Sequence, residues 1–171
     1  MRHLVSILLI ILFAVSCQKS PDENLVQITK LEQQQTERMM HIPSISPIEG
    51  GKIVNRFEQQ IDSLTKKPYL KKGIDIVVDH EANVFAAAAG KVVEVMKGET
   101  NNENLIIIDH GHGFQTKYSN LFEILIEQNQ AVKRWMVIGK IKKSQDLPAF
   151  LHYEVIENGE PVDPEKFLFA H

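Results

Sequence analysis

The side chains in this sequence most able to do chemistry are its seven histidines, a scatter of carboxylates and one cysteine. His110 and His112 stand at i and i+2 within Asp109-His110-Gly111-His112-Gly113. That spacing can place two imidazoles on one strand face for a metal, but the flanking glycines read as a tight turn, and a structural role is expected for both. His80 follows Asp75 at an interval that fits no ligand pattern and is expected at the surface, while His41 and His171 lie in linker and terminus. Trp135 precedes a Val-Ile-Gly run and is expected to pack in a turn rather than to bind a ligand.

Cys17 is the sole cysteine, which excludes an intrachain disulfide and a cysteine-based zinc site together. Arg2 and His3 precede an apolar run from Leu4 to Val15, broken only by Ser6, and the chain turns polar at Gln18. A membrane span needs roughly 20 apolar residues, so this run reads as a secretory leader. The segment Ala14-Val15-Ser16-Cys17 resembles a bacterial lipobox, which implies diacylglycerol on Cys17, cleavage before it and a membrane anchor on the envelope side. Two or three acyl chains make such anchoring effectively permanent. The formal charge of -3 and the absence of a long Lys/Arg run exclude nucleic-acid binding through phosphate contacts.

The elements that must position these residues begin after a polar stretch. Residues 1–16 are expected to be the signal peptide. Residues 17–42 read as a lipidated N-terminus and a Gln-rich tether, whose Leu25, Ile28, Leu31 and Met39 form only a thin helical stripe. Pro43, Pro47 and Gly50-Gly51 announce a new unit, residues 43–169. Within it, Val/Ile-rich runs at 73–78, 84–88, 91–96, 105–108, 114–118, 137–141 and 151–156 are separated by Asn/Asp/Gly clusters. The expected class is all-β: an antiparallel sandwich or partly open barrel.

Several segments, taken in order, resemble the LytM/lysostaphin-type zinc endopeptidases (metallopeptidase family 23, the duplicated hybrid motif fold), which cut peptide cross-links in bacterial cell walls. They include Lys72-Gly73-Ile74-Asp75-Ile76, Val84 to Val93, Ile106-Ile107-Ile108-Asp109-His110-Gly111, Val137-Ile138-Gly139, Leu151-His152-Tyr153-Glu154-Val155 and Asn158 to Pro164. The resemblance implies a zinc held by a histidine, an aspartate four residues later and the second histidine of a His-x-His strand. It also implies two catalytic histidines, one two residues after a tyrosine and one opening the His-x-His pair. Here the first ligand falls on Lys71, Asp75 is retained, the position after Tyr118 is Asn120, and the strand reads Phe150-Leu151-His152.

Only Asp75 and His152 survive, whereas a catalytic zinc takes three protein ligands and a water. An ammonium at Lys71 would repel the metal and pair with Asp75 instead. Asn120 and Phe150 cannot titrate, so the general base is lost. The loops at Glu99–Asn104 and Lys142–Ala149 lack the glycines expected of active relatives. These features imply no cofactor, no catalytic residue and vestigial ligands at Asp75 and His152. Lys71, Asp75, Tyr118, Asn120, Phe150 and His152 become candidates for lining a partner-binding groove. The leading expectation is a non-catalytic envelope lipoprotein that binds peptidoglycan or regulates a cell-wall hydrolase. The alternatives are an active zinc endopeptidase and a structural spacer.

Overall fold

Val, Ile and aromatic runs fold into antiparallel sheets, and the computed structural model describes residues 21–99, 103–143 and 148–168. The leader, Cys17 and the middles of the 99–104 and 142–149 loops lie outside those residues. By internal packing the chain divides into two units after Glu37. Among the described residues no helix is long and apolar enough to cross a membrane.

The stretch read as a tether is one helix, α1 (Pro21–His41), with Asp22 and Glu23 in its first turn and Arg38 and His41 in its last. Those charges oppose the helix dipole at each end, a favourable arrangement that an apolar-periodicity reading does not register. The apolar stripe stays exposed at Leu25, Ile28 and Leu31. The last turn of α1 belongs to the β unit, where Arg134 Nη2 donates to the Met39 carbonyl at 2.6 Å and Ala89 N to that of Met40 at 3.2 Å. Carbonyls left open by the end of a helix are thereby satisfied.

The strands are β1 (Lys52–Asn55), β2 (Glu58–Ile61), β3 (Pro68–Lys71), β4 (Ile74–Val78), β5 (Ala82–Phe85), β6 (Gly90–Met96) and β7 (Asn104–Gly111). They continue as β8 (Phe114–Leu121), β9 (Glu123–Ile124), β10 (Ala131–Val132), β11 (Val137–Ile141), β12 (Ala149–Glu157) and β13 (Glu160–Val162). The main sheet runs β1-β4-β12-β8-β7-β6-β10, with β13 also on β12; β5-β11-β9 and the β2-β3 ribbon are separate sheets. Among the described residues all pairings are antiparallel, and no sheet closes on itself.

The core is built from one face of each long strand, Ile74 and Ile76 of β4, Ile106 and Ile108 of β7, and Leu151 and Tyr153 of β12, all essentially inaccessible to solvent. Period-2 alternation then sends Asp75, Lys117, His152 and Glu154 to the opposite face. Ala86 to Ala88, expected as strand, are instead buried loop, held by Ala86 N donating to the Met136 carbonyl at 2.9 Å.

Candidate functional site

Register decides which polar side chains meet. On β12, His152 lies opposite Asp75 of β4 on one side and Ser119 of β8 on the other, and Glu154 lies opposite Lys117. Asp75 and Glu154 are each only 7% exposed, so their charge needs partners close by. Asp75 has three. Lys71 Nζ stands 2.6 Å from Oδ2, Asn55 Nδ2 donates to the same oxygen at 2.8 Å, and His152 Nδ1 stands 2.6 Å from Oδ1. The pairing of Lys71 with Asp75 is the one the sequence led us to expect. On the far side, His152 Nε2 is 3.4 Å and Lys117 Nζ 2.9 Å from Glu154 Oε1.

Both ring nitrogens of His152 therefore face carboxylate oxygens, which only accept, and that setting favours the doubly protonated imidazole. The hydrogen bonds to Asp75 and then to Glu154 push its pKa up to about 9, against the effect of burial. Burial alone would raise Asp75, but the bonds from His152, Lys71 and Asn55 outweigh it and hold the carboxyl well below the usual range. Glu154 is brought down to about 2 by its bond to His152, against burial and with help from Lys117. The result is a row of alternating charge, Lys71, Asp75, His152, Glu154, Lys117, across three strands and the end of the β2-β3 ribbon.

Peptidase relatives of this architecture imply a zinc ion at this place, and the residues present do not fit one. A zinc-bound imidazole must offer a lone pair, whereas both ring nitrogens of His152 stand beside carboxylate oxygens. Both oxygens of Asp75 are engaged, and an ammonium touches the carboxylate that a metal would need. Asn120 sits at a φ of 65° at the end of β8, and Phe150 is half-buried on the His152 face of β12. Neither can accept a proton near neutrality, so neither supplies a general base.

Tyr118, expected to line the groove, does not reach it. It is fully buried on the core face of β8, as the parity of that strand requires once Lys117 faces the site. Its hydroxyl oxygen accepts from Ala87 N at 2.9 Å and lies 3.0 Å from Thr116 Oγ1, which lies 2.7 Å from His110 Nε2; His110 Nδ1 lies 2.8 Å from the Ala89 carbonyl. One assignment uses every donor once: Nδ1–H to Ala89, the Thr116 hydroxyl to Nε2, the Tyr118 hydroxyl to Thr116. His110 is then neutral, in keeping with a pKa lowered to about 4, chiefly by burial. Burial likewise raises Tyr118 to about 12. The structural role expected for His110 is thus visible, although β7 runs on through it and the turn begins at His112, whose φ is 53°.

His80 is exposed beside Asp79, and Trp135 packs edge-on against Phe85 with centroids 5.8 Å apart. His41 lies against the His112 ring, centroids 5.5 Å apart, a contact that linker composition could not foretell. Asn55, Lys117 and Glu154 were missed from sequence as well. Glu154 had a signal, since His152-x-Glu154 places both on one strand face; Asn55 and Lys117 join only through register.

Residues 69–164 match the profile of Peptidase family M23. The chain belongs to this family. Outer membrane antigenic lipoprotein B of Haemophilus influenzae is 37% identical to this M23 chain over 100 residues, covering 58% of the chain and 25% of that protein. Murein hydrolase activator NlpD of Escherichia coli is 30% identical over 97 residues, 57% of this chain and 26% of its own. The M23 chain thus spans about a quarter of the length of either relative. Among solved structures, a chain of the SpoIIQ–SpoIIIAH pore-forming complex superposes with a TM-score of 0.62 at 26% identity, over 73% of this chain and 90% of that one. Of the two sequence relatives, one is named as an outer membrane lipoprotein and the other as a murein hydrolase activator.

Proposed function

We propose that this chain is a non-catalytic M23-fold lipoprotein of the cell envelope, anchored through Cys17, whose groove binds a cell-wall hydrolase and raises its activity. The observation that carries the reading is the Asp75 carboxylate, contacted by Lys71, Asn55 and His152 where a peptidase would need an open metal ligand. A charge row that is already neutralised keeps its shape without metal, which suits a surface that must be recognised rather than one that must react. Support of a different kind comes from the Escherichia coli relative named as a murein hydrolase activator, and from a superposable chain taken from a two-protein complex.

The test uses the full mature chain in detergent. Its zinc content is measured by mass spectrometry, its action on purified peptidoglycan by released peptides, and its effect on a purified cell-wall amidase by turnover. No stoichiometric zinc, no released peptide and a several-fold faster amidase are expected. One equivalent of zinc together with released cross-link peptides would instead establish the second reading, a working endopeptidase, which the retention of Asp75 and His152 on adjacent strands favours.

A further inference from the structure

The last turn of α1 is seated on the β unit by polar contacts rather than by apolar burial. Met39 and Met40 are 62% and 52% exposed, and buried side chains begin only at Pro43 and Ile45. What holds the turn is a set of hydrogen bonds. Arg134 Nη2 donates to the Met39 and Ile42 carbonyls at 2.6 and 3.3 Å, and Ala89 N to the Met40 carbonyl at 3.2 Å. His110 steadies the second contact, since its Nδ1 lies 2.8 Å from the Ala89 carbonyl. Among these bonds lies the ring of His41, edge-on to that of His112 with centroids 5.5 Å apart.

That place suits a neutral imidazole and opposes a charged one. His41 Nδ1 is buried and, among the described residues, has no hydrogen-bond partner. A neutral ring can leave only a lone pair there, whereas an imidazolium must put an N–H where nothing accepts it. The cavity beside the ring is lined by Lys91, Asp109 and His110, and Arg134 binds the carbonyls on either side of His41. Two permanent cations therefore stand against one carboxylate, and Asp109 Oδ1 already accepts from Gly111 N at 2.8 Å. Among the described residues no ion pair includes His41 or His112. His110 is held neutral by burial until about pH 4, so it stays a fixed support while the rings above it change charge. Glu37, four residues earlier on α1, and the negative end of the helix dipole both favour a charged His41, but they travel with the helix and act equally when the turn is free. Only groups of the β unit distinguish the seated turn from the free one, and their balance is positive.

We propose that His41 is an acid-sensitive latch: with its ring neutral the last turn of α1 stays seated on the β unit, and its protonation, reinforced by that of the facing His112, unseats residues 39–42. The strands stay folded, because the buried core starts beyond the latch, at Pro43 and Ile45. The sign follows from linkage. The seated turn takes up the proton less readily than the free one, so seating is strongest at high pH and is lost as pH falls. Acid thus loosens the joint between the β unit and the N-terminal part of the chain, whether or not the groove binds a hydrolase.

The test follows amide hydrogen exchange by NMR in the full mature chain in detergent, at about pH 7.5 and about pH 5.5, within the span where histidine ordinarily changes charge. Each rate is divided by the intrinsic rate at that pH. The Ala89 amide reports the joint, because its acceptor is the Met40 carbonyl; the Ala86 amide, bonded to the Met136 carbonyl, reports the β unit. Protection at Ala89 should fall about tenfold on acidification while that at Ala86 holds, since one proton moves an opening equilibrium by at most about tenfold per pH unit. His41→Phe keeps a ring against His112 without a titrating nitrogen, and should leave Ala89 equally protected at both pH values. Lys91→Glu, at an exposed position, gives the cavity a second carboxylate in place of a cation and should shrink the acid loss. Level protection at Ala89 in wild type would overturn the latch. So would an acid loss that persists in His41→Phe, or one undiminished in Lys91→Glu, which decides the matter even where the phenylalanine variant fails to seat at either pH.

Discussion

At the scale of single residues, one substitution at Lys71 separates a charge row from a metal site. Replacing the ammonium by an imidazole removes the cation that engages Asp75 and supplies a third ligand beside the surviving two. Lys71→His is therefore expected to bind one equivalent of zinc, measured by mass spectrometry after dialysis, and to raise Tm when zinc is added, because a ligand held only by the folded state stabilises it. A Lys71→His protein that stays metal-free would show that something other than Lys71 excludes the ion. Lys71→Met removes the cation without supplying a ligand. Asp75 keeps His152 and Asn55, and Lys71 is partly open to solvent, so the loss should be about 1–2 kcal/mol rather than the larger cost of stranding a fully buried charge. Denaturant unfolding measures it.

At the scale of elements, the turn between β3 and β4 is what brings Lys71 and Asp75 together. Gly73 has a φ of +74°, and a Cβ there would lie 2.4 Å from the Tyr153 carbonyl oxygen and 2.8 Å from Glu154 Cγ. Gly73→Ala thus meets both a disfavoured backbone region and a fixed backbone atom, and should cost more than about 2 kcal/mol. Its Tm should fall further than that of Gly50→Ala, where φ is +66° but no atom lies within 4 Å. Equal losses would mean that φ alone, and not the packing of β12 on the turn, makes glycine necessary. The strands that carry the core were legible because they are rich in Val, Ile and aromatic residues between Asn, Asp and Gly clusters, and Val137–Ile141 was bounded as the structure has it. The β2-β3 ribbon was not legible, since Glu58-Gln59-Gln60 has no apolar alternation and its pairing depends on the Asp62 turn. The helix at 21–41 was read as a tether because its apolar stripe is thin, and that stripe indeed stays exposed. Asp75 and His152 were found from their motifs, whereas Asn55 and Lys117 required a register that no local pattern encodes. Tyr118 was assigned to the groove by its place in a motif when strand parity puts it in the core.

At the scale of the whole molecule, two histidines shape stability against pH from opposite sides. The pKa of His152 is raised in the folded chain from the ordinary 6.5 to about 9, so the stability it contributes is fully present below pH 6.5 and is lost as pH rises through 9. That of His110 is lowered from 6.5 to about 4, so its contribution is present above pH 6.5 and is lost as pH falls toward 4, where Glu154 and then Asp75 begin to add losses of the same sign. Each proton can tilt stability by at most about 1.4 kcal/mol per pH unit within its window. Tm measured from pH 4 to 9 should therefore peak near pH 6.5 and fall on both sides. His152→Asn should flatten the alkaline limb and leave the acid limb in place. His110→Gln should flatten the profile between pH 4.5 and 6.5, where no carboxylate of the row titrates. A wild-type profile that stays level from pH 6.5 to 9 would mean that His152 is not held as an imidazolium. Asp75 would then stand beside a ring nitrogen with a free lone pair, which makes two of the three protein ligands a catalytic zinc takes.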